Sequence, residues 1–161
     1  MITVIRNYSV NDITSSIKYL LDKASKSEEV RQLAIEIIAD KGDPISAVYD
    51  WVKGNMNYVP DPVQAGDDIE LFISPVRLVK NYRASMTIAG DCDDMAIFCT
   101  SLCRAIGIRS NVIIIDSVGS GLDHAFCEAW SDKLNNFISV DPSSDYPLGW
   151  EMPYKEKVVV S

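Results

Sequence analysis

Three residues whose chemistry combines into an active site stand in the order Cys92, His124, Asp141. The chain has four cysteines but a single histidine, so any general acid–base step near neutral pH looks first to His124. Cys92 sits in the run Gly90-Asp91-Cys92-Asp93-Asp94, directly before a helical pattern. A thiol at a helix N-terminus faces unpaired backbone N–H groups and the positive end of the dipole, both of which favour thiolate. The N–H of Cys92 is itself a candidate donor to a developing oxyanion. Asp91, Asp93 and Asp94 work against a further negative charge there, and a protonated His124 beside the thiolate is expected to offset them. Asp141 follows His124 by seventeen residues, at the end of the next strand-like run. If the two strands pair as a hairpin, the carboxylate can hydrogen-bond the ring and fix its tautomer, as the third member of a triad does.

The remaining polar and sulfur groups read more plainly. Acidic residues at a helix start cap the helix and complement its dipole, so Asp91, Asp93 and Asp94 are taken as caps, and no metal or cofactor is expected. The spacings of Cys92, Cys99, Cys103 and Cys127 fit no zinc-binding pair, and reduced thiols are the expectation. Cys99 and Cys103 fall on the apolar face of the helix, and Cys127 alternates away from His124 along its strand, which assigns all three to core packing. Trp51, Trp130 and Trp150 read as core or cleft wall.

With 161 residues, 47% of them hydrophobic and 24% charged, the chain fits one globular domain over residues 1–161. A helical N-terminal part spans residues 1–80 and a catalytic core about residues 81–145. A net charge of −8 without a Lys/Arg stripe argues against a nucleic-acid partner. The four-residue apolar run near the N-terminus is too short for a signal peptide, and no stretch has the length of a membrane span, so a cytoplasmic protein with no membrane partner is expected. The sequence leaves oligomeric state open.

The elements that must position the three groups are helices first and strands afterwards, an α+β arrangement. Ser27 reads as an N-cap, and Val30, Leu33, Ala34, Ile37 and Ile38 follow it at helical spacing. Asp43-Pro44 and Ser74-Pro75 are two further starts with Pro at the first helical position, and residues 11–24 form an additional helix. Residues 55–73, with two prolines and a Gly-Asp-Asp cluster, read as a long connection that is either a passive excursion or a substrate-contacting loop. Met95, Cys99, Leu102, Cys103 and Ile106 mark the helix after Cys92, which Gly107 stops. Short strands are then expected over residues 111–116, 124–130 and 137–141, and a last one over 157–161.

Residues 89–111, in which Gly-Asp-Cys opens a helix ending in Arg-Ala-Ile-Gly-Ile, resemble the nucleophile segment of transglutaminase-like proteins. Residues 123–131 resemble that family's histidine strand, and residues 140–143 its Asp-Pro strand end. Residues 45–61 are similar to the helix and Asn-x-x-Tyr stretch that precede the core. The resemblance covers about residues 45–143 and is to small stand-alone members from bacteria and phages, which implies virion association if the gene is phage-borne. It implies a papain-like α+β core, with N-terminal helices and the nucleophile helix packed on a small antiparallel sheet. It also implies Cys92 as nucleophile, His124 as general base and acid, Asp141 as orienter, and a thioester intermediate on a protein or peptide amide substrate. The acyl group would pass to water, as in a protease or amidohydrolase, or to an amine, as in a transamidase. Tyr82 is the candidate for the family's upstream oxyanion side chain. The alternative function is a non-enzymatic binding or assembly module that keeps the fold.

Overall fold

Side-chain caps start the helices that frame the site. The structure, a computed structural model, describes residues 1–6, 8–61, 69–85 and 87–161. Helix α1 (Val10–Ser25) opens on a capping box in which Ser9 and Asp12 each accept from the other's backbone N–H. Helix α2 (Glu28–Ile38) is capped by Ser27, and α3 (Pro44–Asn55) by Asp43 with Pro44 at its first position. Helix α4 spans Pro75–Ser85 and α5 spans Cys92–Ala105, the latter capped by Asp91.

Eleven of the fourteen residues of α5 are buried, so this helix is enclosed on nearly every side rather than amphipathic. Its buried hydroxyls are satisfied internally: Ser101 donates to the Ile97 carbonyl at 2.7 Å, and Thr100 to that of Asn111 at 3.3 Å. The helix ends as its sequence dictates. Gly107 takes φ +83°, and the N–H groups of Gly107 and Ile108 reach back to the carbonyls of Arg104 and Cys103, closing a Schellman motif.

Against α5 packs a four-stranded antiparallel sheet in the order β7-β6-β5-β8, formed by β5 (Ser110–Asp116), β6 (His124–Ser131), β7 (Asn136–Val140) and β8 (Glu156–Val160). Cys127 and Ala129 of β6 join the core that α5 shares with α2 and α3, whereas Phe126 packs with Ile113 and Ile115 in a separate cluster. Period-2 alternation thus separates the two faces, as the sequence pattern implied. The fold is the expected α+β arrangement of N-terminal helices and a nucleophile helix on a small antiparallel sheet.

The N-terminal half is less purely helical than its periodicity predicts. Strand β1 (Ile2–Arg6) pairs antiparallel with β3 (Ile69–Ile73), and β2 (Met56–Tyr58) pairs in parallel with β4 (Ile88–Gly90). The stretch read as one long connection over residues 55–73 therefore holds two strands, with residues 62–68 outside the described residues. At three residues each, β2 and β4 are too short to show a period in sequence. Among the described residues no helix is long and apolar enough to cross a membrane.

Gly90 closes β4 immediately before α5. A Cβ there would lie 2.5 Å from Asp94 Oδ2 and 2.7 Å from Met56 Cε. Gly90→Ala must push the first turn of α5 away from β2, at a cost of about 1–3 kcal/mol. Thermal unfolding should show a clear loss of Tm; an unchanged Tm would mean that this contact is not tight.

Candidate active site

Cys92 is the first residue of α5, where the N–H of an N1 residue has no intrahelical acceptor. His124 opens β6, opposite Ile115 of β5, and Asp141 directly follows β7. The ladder between β6 and β7 ends at the pair Cys127–Val140. Extended by its own register, it sets Asp141 two residues from the position opposite His124, a diagonal pair within reach of an imidazole. The side chains meet: His124 Nε2 lies 2.8 Å from Asp141 Oδ2. The Cys92 side chain lines the same cleft as this imidazole and raises its proton affinity. With Nε2 turned to Asp141, Nδ1 is the ring nitrogen left for sulfur. The three residues singled out in the sequence are thus brought together at one place.

The carboxylate is held from its other side too. Asp141 Oδ1 accepts from the Ser143 hydroxyl at 2.6 Å and from the Ser143 N–H at 3.2 Å. Burial works to raise the Asp141 pKa, but the bonds from His124 and Ser143 outweigh it and hold the carboxyl below its ordinary value. Burial likewise works against charge on His124, and the hydrogen bonds and charges of Asp141 and Cys92 overcome it. The imidazole is pushed up to about 10. Ser143 escaped sequence reasoning; the signal was its place two residues after an Asp-Pro, where a Ser hydroxyl can fold back onto the Asp side chain.

Cys92, His124 and Asp123 line a cleft of about 350 Å³ that also receives Tyr58, Glu70, Asp91 and Asp93. Tyr82, the upstream side chain expected at the oxyanion position, is not among the lining residues. It packs edge-on against Trp51 at 4.8 Å between ring centroids, and Trp51 in turn meets Phe98. The tyrosines that reach the cleft are Tyr8 and Tyr58, and strand pairing places Tyr58 near the nucleophile. Parallel pairing of β2 with β4 sets Tyr58 opposite Gly90, two residues before Cys92, and the Val59 N–H donates to the Gly90 carbonyl at 2.9 Å. Burial, then the charges of Cys92 and Asp91, raise the Tyr58 pKa and keep its hydroxyl a donor. The Asn55-x-x-Tyr58 stretch was the sequence signal for it; the short parallel pairing that aims it was not legible.

The other thiols are remote from this chemistry. Cys99, Cys103 and Cys127 are fully buried. Burial pushes the Cys99 thiol up, and a hydrogen bond with Cys127 followed by burial does the same for Cys103.

The acidic residues around Cys92 do more than cap. Asp91 accepts from the Asp94 N–H, but Asp94 reaches across to β3 and accepts from the Ile73 N–H at 2.7 Å. Asp61 accepts from the Leu71 N–H at 2.6 Å. Burial raises Asp61 to about 6 and Asp94 to about 8, against the pull of these hydrogen bonds. Asp93 is raised as well, by burial and then by its neighbours Glu70 and Asp91. Oxygens of Asp61, Glu70 and Asp91 come within 4.8 Å of one another, as do those of Asp91, Asp93 and Asp94, spacings at which either set could hold a cation.

Groups whose folded-state pKa is raised stabilise the fold fully below their unfolded value and lose that contribution as pH rises through the folded one. For Asp61 and Asp94 the loss therefore runs from about pH 4 through about 6 and about 8 respectively. Tm should fall between mildly acidic and alkaline pH. In Asp94→Asn the fall should be shallower and the alkaline Tm higher than in the unaltered protein; parallel profiles would show that Asp94 ionises without cost.

A family model described as the transglutaminase-like superfamily matches residues 31–142. No curated protein matches the sequence. A candidate cysteine protease from Cytophaga hutchinsonii superposes with a TM-score of 0.56 at 21% identity, covering 88% of this chain and 49% of that one. A candidate protease from Parabacteroides distasonis gives 0.56 at 14% identity, over 83% of this chain and 26% of that one. LapG of Legionella pneumophila gives 0.46 at 17%, over 85% and 74%. The chain thus spans about half the length of the first of these proteins and about a quarter of the second, and at such identities the likeness is one of fold. Because the family match takes in the helix of Cys92, the strand of His124 and Asp141 itself, the chain belongs to the transglutaminase-like superfamily.

Proposed function

We propose that the protein is a cysteine-dependent enzyme that cleaves an amide of a protein or peptide through a thioester on Cys92. The observation that carries this reading is a single imidazole held at one nitrogen by a buried carboxylate, in a cleft shared with a thiol at a helix N-terminus. The proton resides on His124 while Asp141 supports its charge, leaving sulfur as a thiolate for attack on the carbonyl carbon. The oxyanion that forms is met by the Cys92 N–H and the Tyr58 hydroxyl. His124 then gives its proton to the leaving nitrogen, the C–N bond breaks, and a thioester remains. Water, or a primary amine, loses a proton to His124 and attacks the thioester carbon; the C–S bond breaks, the acid or new amide leaves, and the thiolate beside protonated His124 is restored.

Three thiols locked in the core and one in the cleft give a direct test. Iodoacetamide should label Cys92 selectively, and in His124→Ala the rate should fall by about tenfold or more. Slow labelling of all four thiols alike, unchanged in His124→Ala, would sink the enzyme reading and leave a binding module. Tyr58→Phe should depress turnover by about one to two orders of magnitude and alkylation far less, because alkylation builds no oxyanion; equal effects on both would remove Tyr58 from that role. Incubation with a glutamine-containing peptide, with and without a primary amine, separates the two acceptors, since mass spectrometry distinguishes hydrolysis from amine incorporation.

A further inference from the structure

The two walls of the Cys92 cleft differ in character. One is aliphatic, built by Ile13 and Ile17 of α1, Ile114 of β5 and Leu122. The other carries the carboxylates of Glu70, Asp91 and Asp93. Among the described residues that line the cleft, His124 alone can bear a positive charge, and Asp141 already supports it. Asp123 is also occupied, its two oxygens accepting from the Ser117 N–H and hydroxyl at 2.9 and 2.6 Å. The carboxylate wall is therefore left with excess negative charge facing the cavity.

One atom of that wall is unsatisfied. Asp93 is 7% exposed, and its Oδ1 has no hydrogen-bond partner among the described residues. A buried acceptor left unpaired is costly, and groups of this kind are retained where something else completes them. Burial, and then the neighbouring carboxyl groups of Glu70 and Asp91, favour a proton on Asp93. A cation entering the cleft would take that proton's place and also supply Oδ1 with a donor. A metal ion would leave the aliphatic wall without a role. A side chain with a methylene stem and a charged head uses both walls at once.

Resting on the reading of Cys92 as nucleophile, we propose that Glu70, Asp91 and Asp93 form a subsite for the lysine or arginine side chain of the peptide whose amide Cys92 attacks. The head is held as a cation, so it is a recognition group on the acyl side and not the attacking amine. The stem lies along the isoleucines, and the charge is read by carboxylates that flank the nucleophile in sequence. Substrates carrying an acidic or a short neutral residue at this place would leave the Asp93 oxygen unpaired and are disfavoured.

Alkylation of Cys92 by matched chloroacetamides tests this without a known substrate. One series carries a terminal ammonium on short to long methylene tethers, ending in the monochloroacetamide of cadaverine; the other carries methyl in its place, ending in that of hexylamine. Rates at Cys92, read by peptide mass mapping in low salt with EDTA, are divided by those of N-acetylcysteine. The best cationic reagent should exceed its neutral counterpart by about tenfold, the ratio expected for one well-placed charge contact. That preference should collapse in Glu70→Gln and in Asp93→Asn, which a diffuse attraction to the net charge of −8 would not explain. Selective labelling of Cys92 with equal rates for the two series overturns the subsite and leaves the nucleophile standing. Absence of selective Cys92 labelling overturns both. Saturable loss of the preference at micromolar calcium or magnesium would reassign the carboxylates to a divalent ion and also overturns it. Should a variant fail to fold, the tether series in the unaltered protein decides: a placed contact gives one preferred length, and a preference equal at every length overturns the subsite.

Discussion

Everything at the site depends on the buried hydrogen bond between Asp141 and His124. A carboxylate 5% exposed and 2.8 Å from an imidazole is a low-dielectric contact that favours charge on the ring. It fixes which ring nitrogen is turned toward Cys92, and Ser143 fixes the carboxylate in turn. The sheet supplies the reach, since β6 and β7 end where a diagonal pair can close. The enclosed helix α5 supplies the third member, because its first residue cannot move without moving the core that surrounds eleven of its residues.

The start of α5 carries opposing demands. The helix dipole and the free N–H of Cys92 favour negative charge there, yet Asp91, Asp93 and Asp94 bring three carboxyl groups to the same turn. Raised proton affinity at Asp93 and Asp94 relieves part of the repulsion. Hydrogen bonding uses the rest: Asp94 ties the helix to the end of β3 at Ile73, and Asp61 anchors the middle of that strand at Leu71. The acidic run thus fastens Glu70 beside the cleft while leaving one Asp93 oxygen unpaired, which links the packing of β3 to the substrate class proposed here.

How much of this was legible in the sequence differs from element to element. The helices announced themselves through Ser27, Asp43 and Asp91, because a cap and a 3.6-residue period are local properties, whereas the capping box of Ser9 and Asp12 went unread. The strands carrying His124 and Asp141 were equally clear, since each alternates and each is bounded by turn residues. The order of Cys, His and Asp, with the Gly-Asp-Cys start, was enough to place the family. Tyr82, the expected oxyanion side chain, packs on Trp51 away from the cleft, while a parallel pairing of three residues brings Tyr58 to it. That pairing, like the one between β1 and β3, is non-local and too short to leave a period. The acidic run showed the reverse difficulty: capping was legible, but the cross-links to Ile73 and Leu71 follow from tertiary packing.

Because the chain contains one histidine, its imidazole can be followed alone. The most direct measurement is an NMR titration of His124 in protein labelled at histidine, in the unaltered chain and in Cys92→Ala and Asp141→Asn. A ring held between a thiolate and a buried carboxylate keeps its proton far above the ordinary range, and removal of either partner brings the midpoint down. A midpoint near the ordinary histidine value, unmoved by both substitutions, would contradict the joining of the three groups into one catalytic unit.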